Sequence, residues 1–385
     1  MRRVPAVPAF VATKPSSRRG TGLFVACAAA TLLCCGRADV AVAADAAAAC
    51  DHQDVWSVST RRLPGICRVP HSADITVERL VSSAAPVAGA AAELDDCIVP
   101  DGKGKPGRRM PRWERSDLSS LLAEPDRPLI LFIHGNRYTH VDAKQQGVVL
   151  ARRVAACCPE LPPARTVVFS WPSEQQGILL KDSRIKFERA HADGHYMAWL
   201  LGQVEPSRPV AIVCYSFGAI VALGALDDLA DAPEAHRTDL LSWRGRPGRT
   251  HLVLVAPAVR CDSLAPRGPH RDAAACIDRL TLIINSEDSA LRFFHLLERD
   301  VGMPALGFVG MPRRWLPAGV EFSSNDAGNS VGKRHSMMEY LESNSMMRKI
   351  CLGAGDGLGA GEWLEARMRP AADNRLDVAA DTASQ

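Results

Sequence analysis

The stretch Pro209-Val-Ala-Ile-Val-Cys-Tyr-Ser-Phe-Gly-Ala-Ile-Val-Ala-Leu-Gly-Ala225 decides how the chain is read. Its first half is apolar and β-branched, its second half small and helix-permissive, and Cys214-Tyr215-Ser216-Phe217-Gly218 lies between them. The pattern predicts a strand, a sharp turn and a helix, with Ser216 on the turn. A hydroxyl held there stands above the end of a sheet, and the backbone N–H groups that open the helix face whatever bonds to it. Ser216 is therefore the candidate nucleophile.

Outward from this stretch the pattern is regular. Apolar runs at Leu129 to Ile133, Val167 to Ser170, Val210 to Cys214, Leu252 to Ala256 and Leu280 to Ile284 read as strands, and Gly319 to Ser323 as a last one. Their apolar residues are continuous rather than alternating, which implies burial on both faces. The expected fold class is α/β: a mostly parallel sheet of about six to eight strands with helices on both faces. Helices are expected at Ala143 to Cys158, Asp182 to Gln203, Phe217 to Leu229, Ala290 to Glu298 and Ser336 to Ser343. Val55 to Thr60 and Ile75 to Glu78 read as short strands of an N-terminal extension, followed by an exposed Gly/Lys/Arg/Pro loop from Asp101 to Arg112.

Four segments are expected: a signal peptide at 1–44, the extension at 45–127, the main domain at 128–350 and a flexible tail at 351–385. The first has a basic stretch ending in Arg18-Arg19-Gly20, an apolar run from about Leu23 to Cys35, and small residues before Asp45. The apolar run is shorter than the roughly 20 residues of a membrane span, so export, periplasmic or extracellular, is expected. Leu32-Leu33-Cys34-Cys35 also resembles a lipoprotein box, which makes lipid anchoring at Cys35 the only membrane association considered. Of twelve cysteines, Cys27, Cys34 and Cys35 fall in this segment and nine remain. That number suits an exported chain with disulfides; Cys261 with Cys276 is the first candidate bridge, and Cys50, Cys67 and Cys97 offer a second.

A serine hydroxyl needs a base, a group to orient the base, and donors for the oxyanion. The acid candidate is Asp288, just past Leu282-Ile283-Ile284, with Glu287 as its rival; an Asp there is also a good helix N-cap. The base candidate is His335, in a loop after the last strand. His134, His140, His191 and His195 precede the nucleophile and are read as surface or structural residues rather than bases. Phe132-Ile133-His134-Gly135-Asn136 ends a strand in a glycine that permits close approach, so the N–H groups of Phe217 and of Asn136 or Arg137 are the expected oxyanion donors. Trp171-Pro172 is read as loop packing with a pocket lining as its rival, and Arg184, Lys186, Glu188 and Arg189 as a solvated helix face with local ion pairs, with a cap over the site as its rival. No Gly-rich phosphate loop, dinucleotide fingerprint or metal-ligand spacing occurs, so neither cofactor nor metal is expected. A net charge of +3 over 385 residues, spread along the chain, gives no footprint for nucleic acid.

The Phe132-Ile133-His134-Gly135-Asn136 turn, the Phe169-Ser170-Trp171-Pro172-Ser173 segment and the Cys214-Tyr215-Ser216-Phe217-Gly218 elbow together resemble an α/β-hydrolase. More narrowly they resemble a bacterial group of largely unassigned function. The resemblance covers about residues 125 to 345, and it implies Ser216, Asp288 and His335 as nucleophile, acid and base. One departure is Cys214, where the elbow usually has glycine. The expected activity is hydrolysis of a carboxylic ester, or an amide or thioester, through an acyl-enzyme. The expected substrate is a small-molecule or lipid-like ester. The competing expectation is a non-catalytic hydrolase-fold binding or interaction protein of the cell envelope.

Overall fold

In the structure, a computed structural model, the described residues are 54–65, 70, 74–81, 112–158, 163–177, 179–231, 242–297 and 302–358, all within the unit spanning 45–385. The expected signal segment, Cys35, and Cys50, Cys67 and Cys97 lie outside the described residues, as does the loop from Asp101 to Pro111.

In chain order the elements are β1 (Val55–Ser59), β2 (Thr76–Val81), β3 (Arg112–Ser116), α1 (Leu118–Leu122), β4 (Leu129–Ile133), α2 (His140–Cys157), β5 (Arg165–Ser170), α3 (Leu179–Gly202), β6 (Val210–Tyr215), α4 (Gly218–Asp231), β7 (Thr250–Val255) and β8 (Arg279–Ile284). They continue with α5 (Leu306–Val309), β9 (Glu321–Asp326), α6 (Gly328–Val331), α7 (Met337–Glu342) and α8 (Asn344–Gly355). Short 3₁₀ turns lie at Ala273–Cys276, Leu291–Leu296 and Arg313–Trp315. The helix expected from Ala290 to Glu298 is the second of these.

The nine strands form one sheet in the order β3-β2-β1-β5-β4-β6-β7-β8-β9. Only β2 runs against its neighbours; β1 pairs parallel with β5, and every pair from β5 to β9 is parallel. The ninth strand is β3, which begins where the exposed loop was expected to end. Its alternating Arg112-Trp113-Glu114-Arg115-Ser116 pairs with β2. The N-terminal strands are thus part of the same sheet as the main domain, because β1 supplies the parallel neighbour that β5 needs.

The central strands are buried end to end. Every residue of β4, β5, β6 and β7 is buried, and each large side chain so buried contributes about 1.5–3 kcal/mol. Strand order reverses at β4: β4-α2-β5 steps toward one edge, β6-α4-β7 toward the other. Right-handed crossovers then set α2 and α4 on opposite faces. Helix α3 packs on α4, and α8 lies against β6, β7 and β8. Between β4 and β6 the chain leaves the sheet in opposite directions and opens a crevice at their C-terminal ends, where ligands of such sheets bind. Gly135 and Ser216 stand at those two ends.

Two further expectations are corrected. The main domain does not end at 350: α8 carries Cys351 into the core and continues to Gly355. A Cβ on Gly353 would come within 2.6 Å of Thr281 Oγ1, so glycine is what lets α8 lie on β8. Cys261 and Cys276 are both free thiols. Cys276 is buried against α4 and donates to Leu226 O (3.5 Å), whereas the Cys261 backbone is tied to Pro304 O. The buried thiols that do approach each other are Cys158 and Cys351. Hydrogen bonding to Cys158, and then burial, push the Cys351 thiol up.

Candidate active site

Ser216 sits at the end of β6 with φ +53°, in the left-handed region that a non-glycine residue occupies at a cost of about 1–2 kcal/mol. Neighbours hold it there. Its N–H donates to Val255 O (3.1 Å), and its carbonyl accepts from Ala219 and Ala258, both at 3.1 Å. The sharp turn brings α4 so close to β4 that a Cβ on Gly218 would lie 2.4 Å from Ile133 O, which excludes any side chain there. Cys214, the departure in the elbow, is completely buried, and its Sγ donates to Val253 O at 3.5 Å. Burial pushes its thiol up, which removes it as a nucleophile. The requirement for a minimal side chain falls on Gly218, so Cys214 leaves the β6–β7 ladder intact.

The three expected residues converge. His335 Nε2 lies 2.8 Å from Ser216 Oγ, and His335 Nδ1 lies 2.6 Å from Asp288 Oδ2. Asp288 is completely buried and also acts as a cap: Oδ1 accepts from the N–H groups of Ala290 (2.8 Å) and Leu291 (3.0 Å). Both readings of this residue hold together, because each oxygen serves one of them. Glu287 is exposed, with its backbone N–H on Asn285 Oδ1, so Asp288 alone meets the imidazole. The geometry sets the tautomer: an N–H on Nδ1 donates to the carboxylate and leaves Nε2 to accept from the serine hydroxyl.

The expected oxyanion donors divide. The Arg137 N–H donates to Ser173 O at 2.7 Å and is spent, which corrects its candidacy. Among the described residues, no acceptor engages the backbone N–H of Phe217 or of Asn136. Gly135 is also required by its neighbours. A Cβ there would lie 2.9 Å from Tyr215 Cδ1 and 3.0 Å from Ser216 Cβ, so the missing side chain makes room for the elbow itself.

The four histidines set aside as bases make structural contacts. His134 is completely buried and stacked on Trp171 (5.7 Å between centroids, planes 7° apart), and Trp171 Nε1 donates to His134 O. Burial, aided by Arg61, lowers the His134 pKa to about 3, so its ring stays neutral. His140 meets Ser170 Oγ and Glu78, and His195 pairs with Asp228. His191 lies against Phe187 on α3, and burial lowers its pKa to about 4. Of the α3 face expected to be solvated, Glu188 is exposed, and Arg184 and Arg189 are half-buried. Lys186 is buried, and Arg189 pairs with the buried Asp193 at 2.7 Å.

One residue that the sequence reading passed over ties the acid and base loops together. Buried Asn285 donates through Nδ2 to Gly332 O (2.8 Å) and to Tyr340 Oη (3.2 Å), and Ser289 N–H donates to Lys333 O. An asparagine just past a strand is too common to stand out, and its partners lie 47 and 55 positions away. Among the described residues there is no group of three or more His, Cys, Asp or Glu side chains arranged to hold a metal ion.

A family model described as an alpha/beta hydrolase of unknown function (DUF900) matches residues 112–309, just over half of the chain, and takes in Ser216 and Asp288. No curated protein matches. Solved structures similar to this chain include an inhibited esterase B from Lactobacillus rhamnosis, at 12% identity over 80% of this chain and 90% of that one, with a TM-score of 0.35. Another is an esterase from Pyrobaculum calidifontis, at 13% identity over 62% and 77%, with a TM-score of 0.26. Scores this low carry no weight for fold or activity. The family match, together with a mostly parallel sheet whose strand order reverses beneath a serine elbow, establishes that the chain belongs to the alpha/beta hydrolases of unknown function.

Proposed function

We propose that this chain is a serine hydrolase that cleaves a carboxylic ester of a small molecule through an acyl-enzyme. The observation that carries the reading is the unbroken line Asp288–His335–Ser216, with contacts of 2.6 and 2.8 Å, on a strained turn at the C-terminal edge of the sheet. His335 takes the Ser216 proton on Nε2 as Oγ attacks the ester carbonyl. Asp288 stabilises the imidazolium and keeps its proton on Nδ1. The oxyanion is received by the N–H groups of Phe217 and Asn136, each worth about 3 kcal/mol of transition-state stabilisation. The imidazolium then protonates the departing alkoxide, and a water repeats the sequence on the acyl-enzyme to release the acid.

Labelling with a fluorophosphonate probe tests the assignment. The wild-type protein is expected to take one label, on Ser216, and Ser216→Ala to take none. An unlabelled wild type that keeps its fold would instead support a binding protein built on a hydrolase scaffold. The N-terminal order of basic, apolar and small residues supports an exported enzyme, and cell fractionation of the full-length chain decides its compartment.

A further inference from the structure

We propose that Tyr215 is a positioning residue for His335: its ring backs the imidazole and favours the imidazolium formed when Ser216 gives up its proton. This rests on the hydrolase reading above. The two rings lie 5.1 Å apart between centroids with their planes 31° apart, within the range where an aromatic face attracts a cation. The Tyr215 ring is itself fixed. Tyr138 meets it edge-on at 6.3 Å and 88°, and Tyr340 packs at 6.1 Å and 55°. The chain has four tyrosines, and two of the others pack on Tyr215, the one that lies against this imidazole. The glycine at 135 serves the same arrangement, since any side chain there would displace the Tyr215 ring.

Tyr215 is 1% exposed, and among the described residues its hydroxyl has no hydrogen-bond partner. A buried tyrosine kept for its hydroxyl would have that hydroxyl paired. The ring is therefore the part in use, and the face it turns to His335 carries the negative side of its quadrupole. The other groups around His335 are accounted for. Asp288 and Ser216 take its two nitrogens, Tyr340 stands behind Tyr215, and Glu287 on the acid loop is exposed. On the loop that bears His335, Lys333 is exposed and Arg334 is paired with Glu339 at 2.6 Å. Among the described residues, Tyr215 is thus the aromatic ring placed against the imidazolium.

The test is an NMR titration of His335 in the full-length protein, together with the pH dependence of the fluorophosphonate labelling rate of Ser216. Replacing the ring by an alkyl group, Tyr215→Leu, removes a contribution that favours the charged form. The His335 pKa and the acid limb of labelling are expected to move down by about half a pH unit. The plateau labelling rate is expected to fall several-fold, with the probe's saturation constant unchanged. Tyr215→Phe, which keeps the ring, restores all of these. An unshifted His335 pKa in Tyr215→Leu, or a Phe variant that behaves like Leu, overturns the proposal. If Tyr215→Leu does not fold, pentafluorophenylalanine at 215 keeps the shape and reverses the ring's charge distribution, with the same shift expected and the same null overturning it. A wild type that takes no label defeats the hydrolase reading, while the NMR titration still decides whether the ring holds the cation.

Discussion

Two buried carboxylates stand at opposite ends of the sheet, and they differ in what their partners are left free to do. At the N-terminal edge, Asp54 accepts from Trp56 Nε1 (2.7 Å), Arg165 Nε (2.5 Å) and Arg79 Nε (3.2 Å), and Arg127 lies 3.0 Å away. Arg165 in turn donates to the carbonyls of Ser120, Leu121 and Ala123 and to Glu124, so the cluster closes on itself. Burial pushes Asp54 up, but the hydrogen bond and charge of Arg165, with Trp56 and Arg127, outweigh it and hold its carboxyl below the usual range. At the C-terminal edge, Asp288 spends one oxygen on the segment that follows it and the other on His335, whose far nitrogen meets a hydroxyl. Burial of an acid therefore does not mark a site. An acid whose partner still has a proton to move does.

The largest test of this contrast is Asp288→Asn. The amide can keep the cap on Ala290 and Leu291 but can no longer hold the imidazolium, so fluorophosphonate labelling should slow by about 10³–10⁴-fold while thermal stability changes little. Retention of the rate within tenfold would break the distinction. Asp54→Asn should do the reverse. Removing one partner of a buried ion cluster costs about 3–5 kcal/mol, visible in denaturant unfolding, while the folded fraction labels at the wild-type rate.

Smaller in effect is the pH dependence of stability set by His251, at the N-terminal end of β7. It is completely buried, with Nδ1 near Ala354 O (3.3 Å), and burial followed by the charge of Arg279 lowers its pKa to about 4. The unfolded chain takes up this proton near pH 6.5 and the folded chain only near 4. The contribution is complete above about 6.5 and is lost as pH falls through that window, by up to about 3 kcal/mol. Chemical unfolding from pH 7 to 4 should therefore show a shallower decline in His251→Leu. An identical slope would mean that this histidine titrates alike in both states. Together the three variants separate a histidine kept neutral for packing, a carboxylate kept for cohesion and a carboxylate proposed to serve the chemistry.

Most of the central sheet was legible because its strands are apolar on both faces. Leu129–Ile133 is found with the expected bounds, and the other parallel strands shift by one to three residues. β3 was not legible, because a polar edge strand looks like a loop until its partner β2 is known. The C-terminal helix was obscured for a related reason. Gly353 and Gly355 argue for a break by local propensity, yet the close contact of Gly353 with Thr281 on β8 leaves room for no side chain there. The Cys261–Cys276 bridge failed because nearness in sequence says nothing of direction once one thiol is packed under α4.

The sequence by itself determined the elbow, the order Ser216, Asp288, His335, and the class of sheet that carries them. These follow from local pattern: hydrophobic period, turn-forming glycines and polar residues after strands. Only the tertiary structure decided that Asp288 rather than Glu287 reaches the imidazole, and that Arg137 has no N–H to offer. Only it clamped the acid and base loops through Asn285 and backed the imidazole with Tyr215. Such choices depend on where side chains from distant segments point once the chain is folded, and hydrogen-bond direction over a few ångströms is not a property of any one segment of the sequence.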